Sequence, residues 1–363
     1  MTMKNLALYK TSGSMDLGRK KIDVRPYLLT PSGWAFIALA SYVIWFLMTS
    51  ERTVPIFPDQ DAYLSYFRYT DWDWLTAYFQ QRSLGLTIIP RIITDEIGWR
   101  LWIIGVKALG FTPESGIRLT VALANGLIFV ALAQLRRPLL GLVLWIVIPP
   151  ALATIGLFQV RQGFAFGLAM AIAFGFRRPI LGLLLASTIH TTAAFPALLL
   201  MAARLGGPNN RVAIPVSIVS GAILAGSAQS LFSAFGGRRV NDYAGYEAQF
   251  STNLLVLVLS YTLASILVMM SLKYVRDRRM RAPLRDLSLM HFGLISYLVV
   301  AFLFFPFGKD RVFYYVSLFA PFFVQEIRIK NGITLWMTMV LYVMIVADVY
   351  VAYQKALYVY FLH

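Results

Sequence analysis

Residues 177–204 read RRPILGLLLASTIHTTAAFPALLLMAAR, and how this stretch meets a bilayer decides the topology around it. It is apolar over most of its length and bracketed by Arg177-Arg178 and Arg204. Its polar residues lie in the middle, Ser187-Thr-Ile-His-Thr-Thr192. Downstream, Lys273–Arg285 (KYVRDRRMRAPLR) is the most basic segment of the chain, and short basic loops stay in the cytoplasm. Working backwards from it, Thr252–Leu272 enters from outside, Gly236–Ser251 is exported, and Val212–Leu231 runs outward. Both ends of Pro179–Arg204 then lie in the cytoplasm, which a single straight span cannot satisfy. The segment is therefore expected to be a hairpin of two short helices, Ile180–Ile189 and Thr192–Ala203, bent near His190. Non-helical backbone at membrane depth is tolerated only against protein or a watery cavity, so the tip is a cavity candidate.

Composition agrees with a membrane protein. The 363 residues are 58% hydrophobic and only 14% charged, with a mean hydropathy of +0.66, too apolar for a soluble domain of this size. The net charge of +16 reads as topology signals in cytoplasmic loops and not as a nucleic-acid surface. Cysteine is absent, which excludes disulfides and thiolate metal sites. The basic residues 1–32 belong in the cytoplasm and read as the flank of an uncleaved signal anchor. One membrane domain fills residues 33–351, with exported loops at about 50–116 and 236–251 and an outer C-terminal tail at 352–363. Full spans are expected at Gly33–Met48, Ile117–Leu135, Pro138–Ile155, Val160–Phe176, Val212–Leu231, Thr252–Leu272, Leu287–Phe307, Val312–Gln325 and Ile333–Tyr350, about nine beside the hairpin. Glu96–Gly110 mixes tryptophans with Arg100 and Lys107 and is expected to lie as an amphipathic helix on the outer face, its tryptophans at headgroup depth.

The remaining ionisable groups need a partner or a purpose. Arg161-Gln162 opens a span at its exported end, against the usual charge bias. Either it snorkels to lipid phosphate or it holds an anionic ligand. His190 sits among hydroxyl side chains at the hairpin tip, as a hydrogen-bonded structural residue or as a base. Lys309-Asp-Arg311 is exported, and Arg311 shares a helical face with Tyr315. The loop 236–251 brings Arg238, Arg239 and Tyr243 together. All fall on the outer side. Guanidinium groups hold phosphate oxygens in two-pronged contacts, so the set suits a lipid-linked pyrophosphate carrying a sugar. The exported carboxylates Asp59, Asp61 and Glu96 are solvated loop residues, sugar-hydroxyl ligands or bases. With three histidines in the chain no His-rich metal site is expected. No nucleotide or dinucleotide motif is present, and no cofactor is expected.

Asp59-Gln-Asp-Ala-Tyr63 after the first span, Glu96 before the interfacial helix, Arg161-Gln162-Gly163 opening a span, Ile189-His190 in the hairpin and Arg311-x-x-x-Tyr315 together resemble the EpsG/Wzy-type polysaccharide polymerases, in order and topology from about residue 30 to about 350. The resemblance implies an all-α, GT-C-like bundle in the bacterial inner membrane. It also implies an enzyme that joins oligosaccharide repeat units carried on undecaprenyl pyrophosphate at the periplasmic face. The transfer would invert the anomeric centre, with no metal and no nucleotide sugar. Arg161 and Arg311, helped by Arg238 or Arg239, would hold the pyrophosphate. His190, or else Asp59, Asp61 or Glu96, would take the acceptor's proton. Membrane lipids, a flippase and a chain-length regulator are the implied partners. Two other readings share these residues: a ligase moving finished glycan to another acceptor, and a transporter of an anionic glycolipid.

Overall fold

In a computed structural model of the protein, which describes residues 30–49, 60–80, 88–148, 150–235, 252–275, 278–303 and 309–354, every element is helical. In chain order the α-helices are α1 (Pro31–Thr49), α2 (Gln60–Tyr69), α3 (Trp72–Gln80), α4 (Ile88–Thr94), α5 (Ile97–Ala108), α6 (Pro113–Leu132), α7 (Pro138–Val147), α8 (Val160–Ala171), α9 (Pro179–Ile189), α10 (Ala194–Leu205), α11 (Asn210–Phe235), α12 (Thr252–Ser271), α13 (Arg278–Leu303), α14 (Lys309–Leu318), α15 (Ala320–Val324) and α16 (Gly332–Gln354). Punctuation explains several boundaries. Thr112 caps α6 by accepting from the Ser115 N–H, with Pro113 in the first turn. The pairs Arg136-Arg137 and Arg177-Arg178 each precede a proline that opens a helix, α7 and α9.

Five helices are long and apolar enough to cross a bilayer, or six if Pro138–Val147 and Ala151–Phe158, bent by 75°, count as one span. The protein is thus an all-α membrane protein. Helix α12, Thr252–Ser271, matches a further expected span in position and length, and Val160–Phe176 and Tyr314–Val324 are shorter apolar helices among the described residues. The expected straight span Pro138–Ile155 is α7 followed, after an extended Ile148, by a π-helix, Pro150–Phe158. Helices α1 and α16 bury only 22% of their spanning windows and face outward, whereas the window in α13 is 72% buried.

Polar ties fix the interior. Asn125 on α6 donates to the carbonyls of Val121 (2.9 Å) and Gly156 (3.0 Å) and accepts from Trp145 Nε1 (2.9 Å), joining three elements. His291 on α13 bonds the Ser265 hydroxyl of α12 and the Val316 carbonyl of α14, its ring set edge-on to Phe323. In an apolar surround each such group must be satisfied internally.

The chain does break at His190. α9 ends at Ile189, His190 is extended (φ −144°, ψ 117°), and a 3₁₀ turn, Thr191–Ala193, leads into α10. Near the start of α9, Gly182 lies on Ala169 and Ile172 at the far end of α8. At the end of α10, Arg204 pairs with Asp286 at 2.5 Å, and Arg285 bonds Asn210 and the Gly207 carbonyl.

The region expected as an exported loop holds four helices, α2 to α5. Helix α5 is not laid only against lipid: Trp99 is fully buried, edge-on to Tyr63 and Phe67. Its neighbour Trp102 donates to Thr120 on α6, so α5 is docked on the bundle and the Trp99 indole is packed inside it. Burial against α2 outweighs the interfacial preference of tryptophan here, since a whole indole is removed from contact with water and headgroups.

Replacing Asn125 by leucine keeps the branched heavy-atom shape of the side chain and strands Trp145 Nε1 and the Gly156 carbonyl. Unfolding of purified protein in detergent is expected to show a loss of about 1–2 kcal/mol. An unchanged midpoint would mean that Asn125 is not a tie.

Candidate active site

Between α4 and α5 the chain turns through Asp95-Glu96 without a glycine, and Glu96 takes the left-handed conformation (φ 54°, ψ 48°). For an L-residue with a long side chain that costs about 1–2 kcal/mol. The turn holds because the Glu96 carbonyl accepts from Trp99 (3.0 Å) and Arg100 (3.2 Å), and because the carboxylate is gripped from three sides. Arg161 Nη1 bonds one oxygen, Oε2. His190 Nδ1 (2.8 Å) and the Thr191 N–H (3.3 Å) bond the other, Oε1. The Thr191 hydroxyl also donates to the Ile93 carbonyl at 3.0 Å. The hairpin tip is thereby sewn to the α4–α5 turn, with Glu96 only 3% and His190 8% exposed.

Two glycines let the helices come this close. A Cβ on Gly98 would collide with Thr188 of α9, and one on Gly163 with the Ile155 carbonyl of the π-helix. The Gly of Arg161-Gln162-Gly163 thus has a packing reason, and Gln162 beside it is buried.

With Nδ1–H donated to Glu96, a neutral His190 carries its lone pair on Nε2, the tautomer a general base needs. Arg161 also lies over the ring faces of Tyr63 (5.7 Å) and Tyr66 (5.0 Å). On the other flank, Arg100 stacks on Tyr66 (4.6 Å) and Trp74 (4.0 Å) and donates to the Thr70 hydroxyl at 2.7 Å. Burial pulls the Arg100 guanidinium below its ordinary value, opposed by Tyr66 and by the Glu96 carboxylate. Two cations therefore share one tyrosine ring beside the buried carboxylate. Arg161 Nε, Gln159 Oε1 and Thr192 Oγ1 are buried with no hydrogen-bond partner in the protein. Such atoms mark a place for water or a ligand. Among the described residues, no group of three His, Asp or Glu side chains is placed to hold a metal.

Of the residues singled out from sequence, the fold brings together Glu96, Arg161, Gln162 and His190. Asp61 opens α2 and is exposed. Tyr315 is buried against Phe166, in the core. Lys309 and Arg311 lie in the first turn of α14, where only the backbone is described. Asp59, Arg238, Arg239 and Tyr243 lie outside the described residues. Sequence reasoning passed over Tyr66 and Trp74, and it read Arg100 only as a basic residue of an amphipathic surface helix. Arg100 lies four residues after Glu96, one helical turn on, a spacing that links it to the site.

Because Glu96 and Arg161 are buried together, removing either strands the other. Glu96→Ala and Arg161→Ala are each expected to cost about 3–5 kcal/mol. The double variant should cost clearly less than their sum in chemical unfolding of the purified protein. Strict additivity would show that the two charges are not coupled.

Residues 35–362, nearly the whole chain, match the EpsG family. No curated protein and no solved structure matches the chain. The family match spans the turn that carries Glu96, the opening of α8 and the hairpin, so the constellation lies wholly within the shared region. This chain is a member of the EpsG family.

Proposed function

We propose that this protein is a polysaccharide polymerase that transfers a growing glycan from undecaprenyl pyrophosphate to a hydroxyl of the next lipid-linked repeat unit, at the outer face of the bacterial inner membrane. Membership of the EpsG family supports polysaccharide synthesis. The observation that carries the chemistry is the buried His190–Glu96 pair beside Arg161.

His190 Nε2 takes the proton of the acceptor hydroxyl as that oxygen attacks the anomeric carbon of the donor sugar. The bond from that carbon to the pyrophosphate oxygen breaks, and the electron pair leaves with undecaprenyl pyrophosphate. Attack opposite the leaving group inverts the centre. Glu96 is the positioning residue: with its lone pairs committed to three donors it serves poorly as the base, and it holds the imidazole in the required tautomer and steadies the imidazolium. Arg161 Nη1 is engaged with Glu96, while its buried, unpartnered Nε remains for a phosphate oxygen. Charge growing on the leaving pyrophosphate is met there, and in this proposal also by Arg311, Arg238 or Arg239. Asp59 and Asp61 fit sugar hydroxyls better than proton transfer, since Asp61 is exposed. Lys309, Tyr243 and Gln162 complete the proposed substrate set, whereas Tyr315 packs in the core. A flippase that supplies the repeats and a chain-length regulator are the proposed partners.

His190→Gln keeps a donor toward Glu96 and removes the base. Elongation of lipid-linked repeats by purified protein is expected to fall by roughly 10²–10⁴-fold, and cells should accumulate single lipid-linked repeats. Long polymer of ordinary abundance in an Arg161→Ala plus Arg311→Ala strain would overturn the assignment of the arginines. Lipid-linked long polymer retained in an inactive strain would point instead to a ligase.

A further inference from the structure

At the other end of the bundle from Glu96 lies a polar cavity outside the proposed transfer site. Helix α6 starts near the active-site side, where Gly116 meets Phe67 of α2. Its 20 residues carry the chain about 30 Å away at 1.5 Å per residue. There the α6–α7 link contributes Arg136 and Arg137, and the link between α15 and α16 contributes Arg328 and Lys330. With Thr338 and Tyr342 of α16 they line a cavity of about 290 Å³.

Loop cations that serve only as topology signals stand apart in water. These four converge. Burial, and then the neighbouring guanidinium groups of Arg137 and Arg328, hold Arg136 below its ordinary value. Arg328 has its Nε buried with no partner. The nearby carboxylate, Glu326, is buried and occupied in part by the Arg136 backbone N–H at 2.6 Å, at the start of α7. Lys330 Nζ is held 4.1 Å over the Tyr274 ring, which fixes its position at the cavity. On the face that carries Tyr342, helix α16 then presents a ladder of exposed apolar side chains leading away from the cavity, Leu335, Met339 and Val346. A phosphate in the cavity would leave its acyl chains on that ladder.

We propose that this cavity binds the phosphate of an anionic phospholipid headgroup, with α16 as the acyl-chain surface. Basic pockets between spanning helices on the positively charged side are a recurrent answer to such headgroups. The site is independent of the polymerase reading.

The test uses the purified full-length protein in detergent, titrated separately with phosphatidylglycerol, cardiolipin, phosphatidylcholine and sodium pyrophosphate. Retained lipid is read by native mass spectrometry and stability by the thermal midpoint. Phosphatidylglycerol and cardiolipin should be retained and should raise the midpoint by several degrees; phosphatidylcholine should do neither. The Arg328→Gln plus Lys330→Gln variant should lose retention by roughly tenfold or more. Lys330→Gln alone, at an exposed residue, should fold normally and lose part of it. Arg211→Gln, an exposed cation at the start of α11, should change nothing. Equal loss in the Arg211 variant, unchanged retention in both Lys330 variants, or equal retention of phosphatidylcholine overturns the proposal. Stabilisation by pyrophosphate equal to that by phosphatidylglycerol also overturns it and assigns the cavity to a soluble anion.

Discussion

A buried carboxylate must be matched by donors, and in this protein one carboxylate decides how four segments meet. Glu96 takes a bond from Arg161 at the mouth of α8, from His190 at the break between α9 and α10, and from the backbone of Thr191. The turn that carries it adopts a left-handed conformation that an L-residue resists. The strained turn and the interrupted α9–α10 pair each supply what the other lacks. The broken hairpin leaves a backbone N–H and an imidazole to satisfy, and the turn presents an anion to them. The proposed catalytic geometry and the fold therefore rest on the same interaction.

The interior and the site treat polar atoms differently. Deep in the bundle, Asn125 and His291 have their polar groups matched across helices. Around Glu96, by contrast, Arg161 Nε, Gln159 Oε1 and Thr192 Oγ1 are buried without protein partners. A membrane protein tolerates such atoms where water or a ligand enters. The aromatic rings of Tyr63, Tyr66 and Trp74 flank the two neighbouring guanidinium groups, and Arg161 Nη1 also donates to the Tyr66 hydroxyl at 3.5 Å. This suits a site that receives an anion and then releases it.

Much of this was legible in the chain, and for identifiable reasons. The membrane class follows from hydropathy alone, and the break at His190 follows from the conflict between Arg177-Arg178, Arg204 and Lys273–Arg285 under one charge rule. Arg161 and His190 stood out because a charged or polar group in an apolar setting is costly, whereas Glu96 reads from sequence as one exported carboxylate beside Asp59 and Asp61. What joined them was not legible, because residues 96, 161 and 190 meet only through tertiary packing. Helices α2 to α4 escaped notice because their charges and aromatics mask the apolar period in segments of ten residues or fewer. Trp99 misled for a related reason: a tryptophan in a mixed segment looks interfacial until the helix that covers it is known. The bend after α7 was hidden because a π-helix and a straight span share the same apolar composition.

The central claim is that the donor's pyrophosphate is bound beside Glu96, between Arg161 and the hairpin tip. Photocross-linking tests it most directly, using an undecaprenyl-pyrophosphate-linked repeat with a photoreactive group on the isoprene next to the phosphates, followed by peptide mapping. The account predicts label on peptides spanning residues 96–100 and 159–192, competed away by unlabelled repeat. Competed label confined to the peptides around Arg136-Arg137 or Arg328, at the opposite end of the bundle, would contradict it.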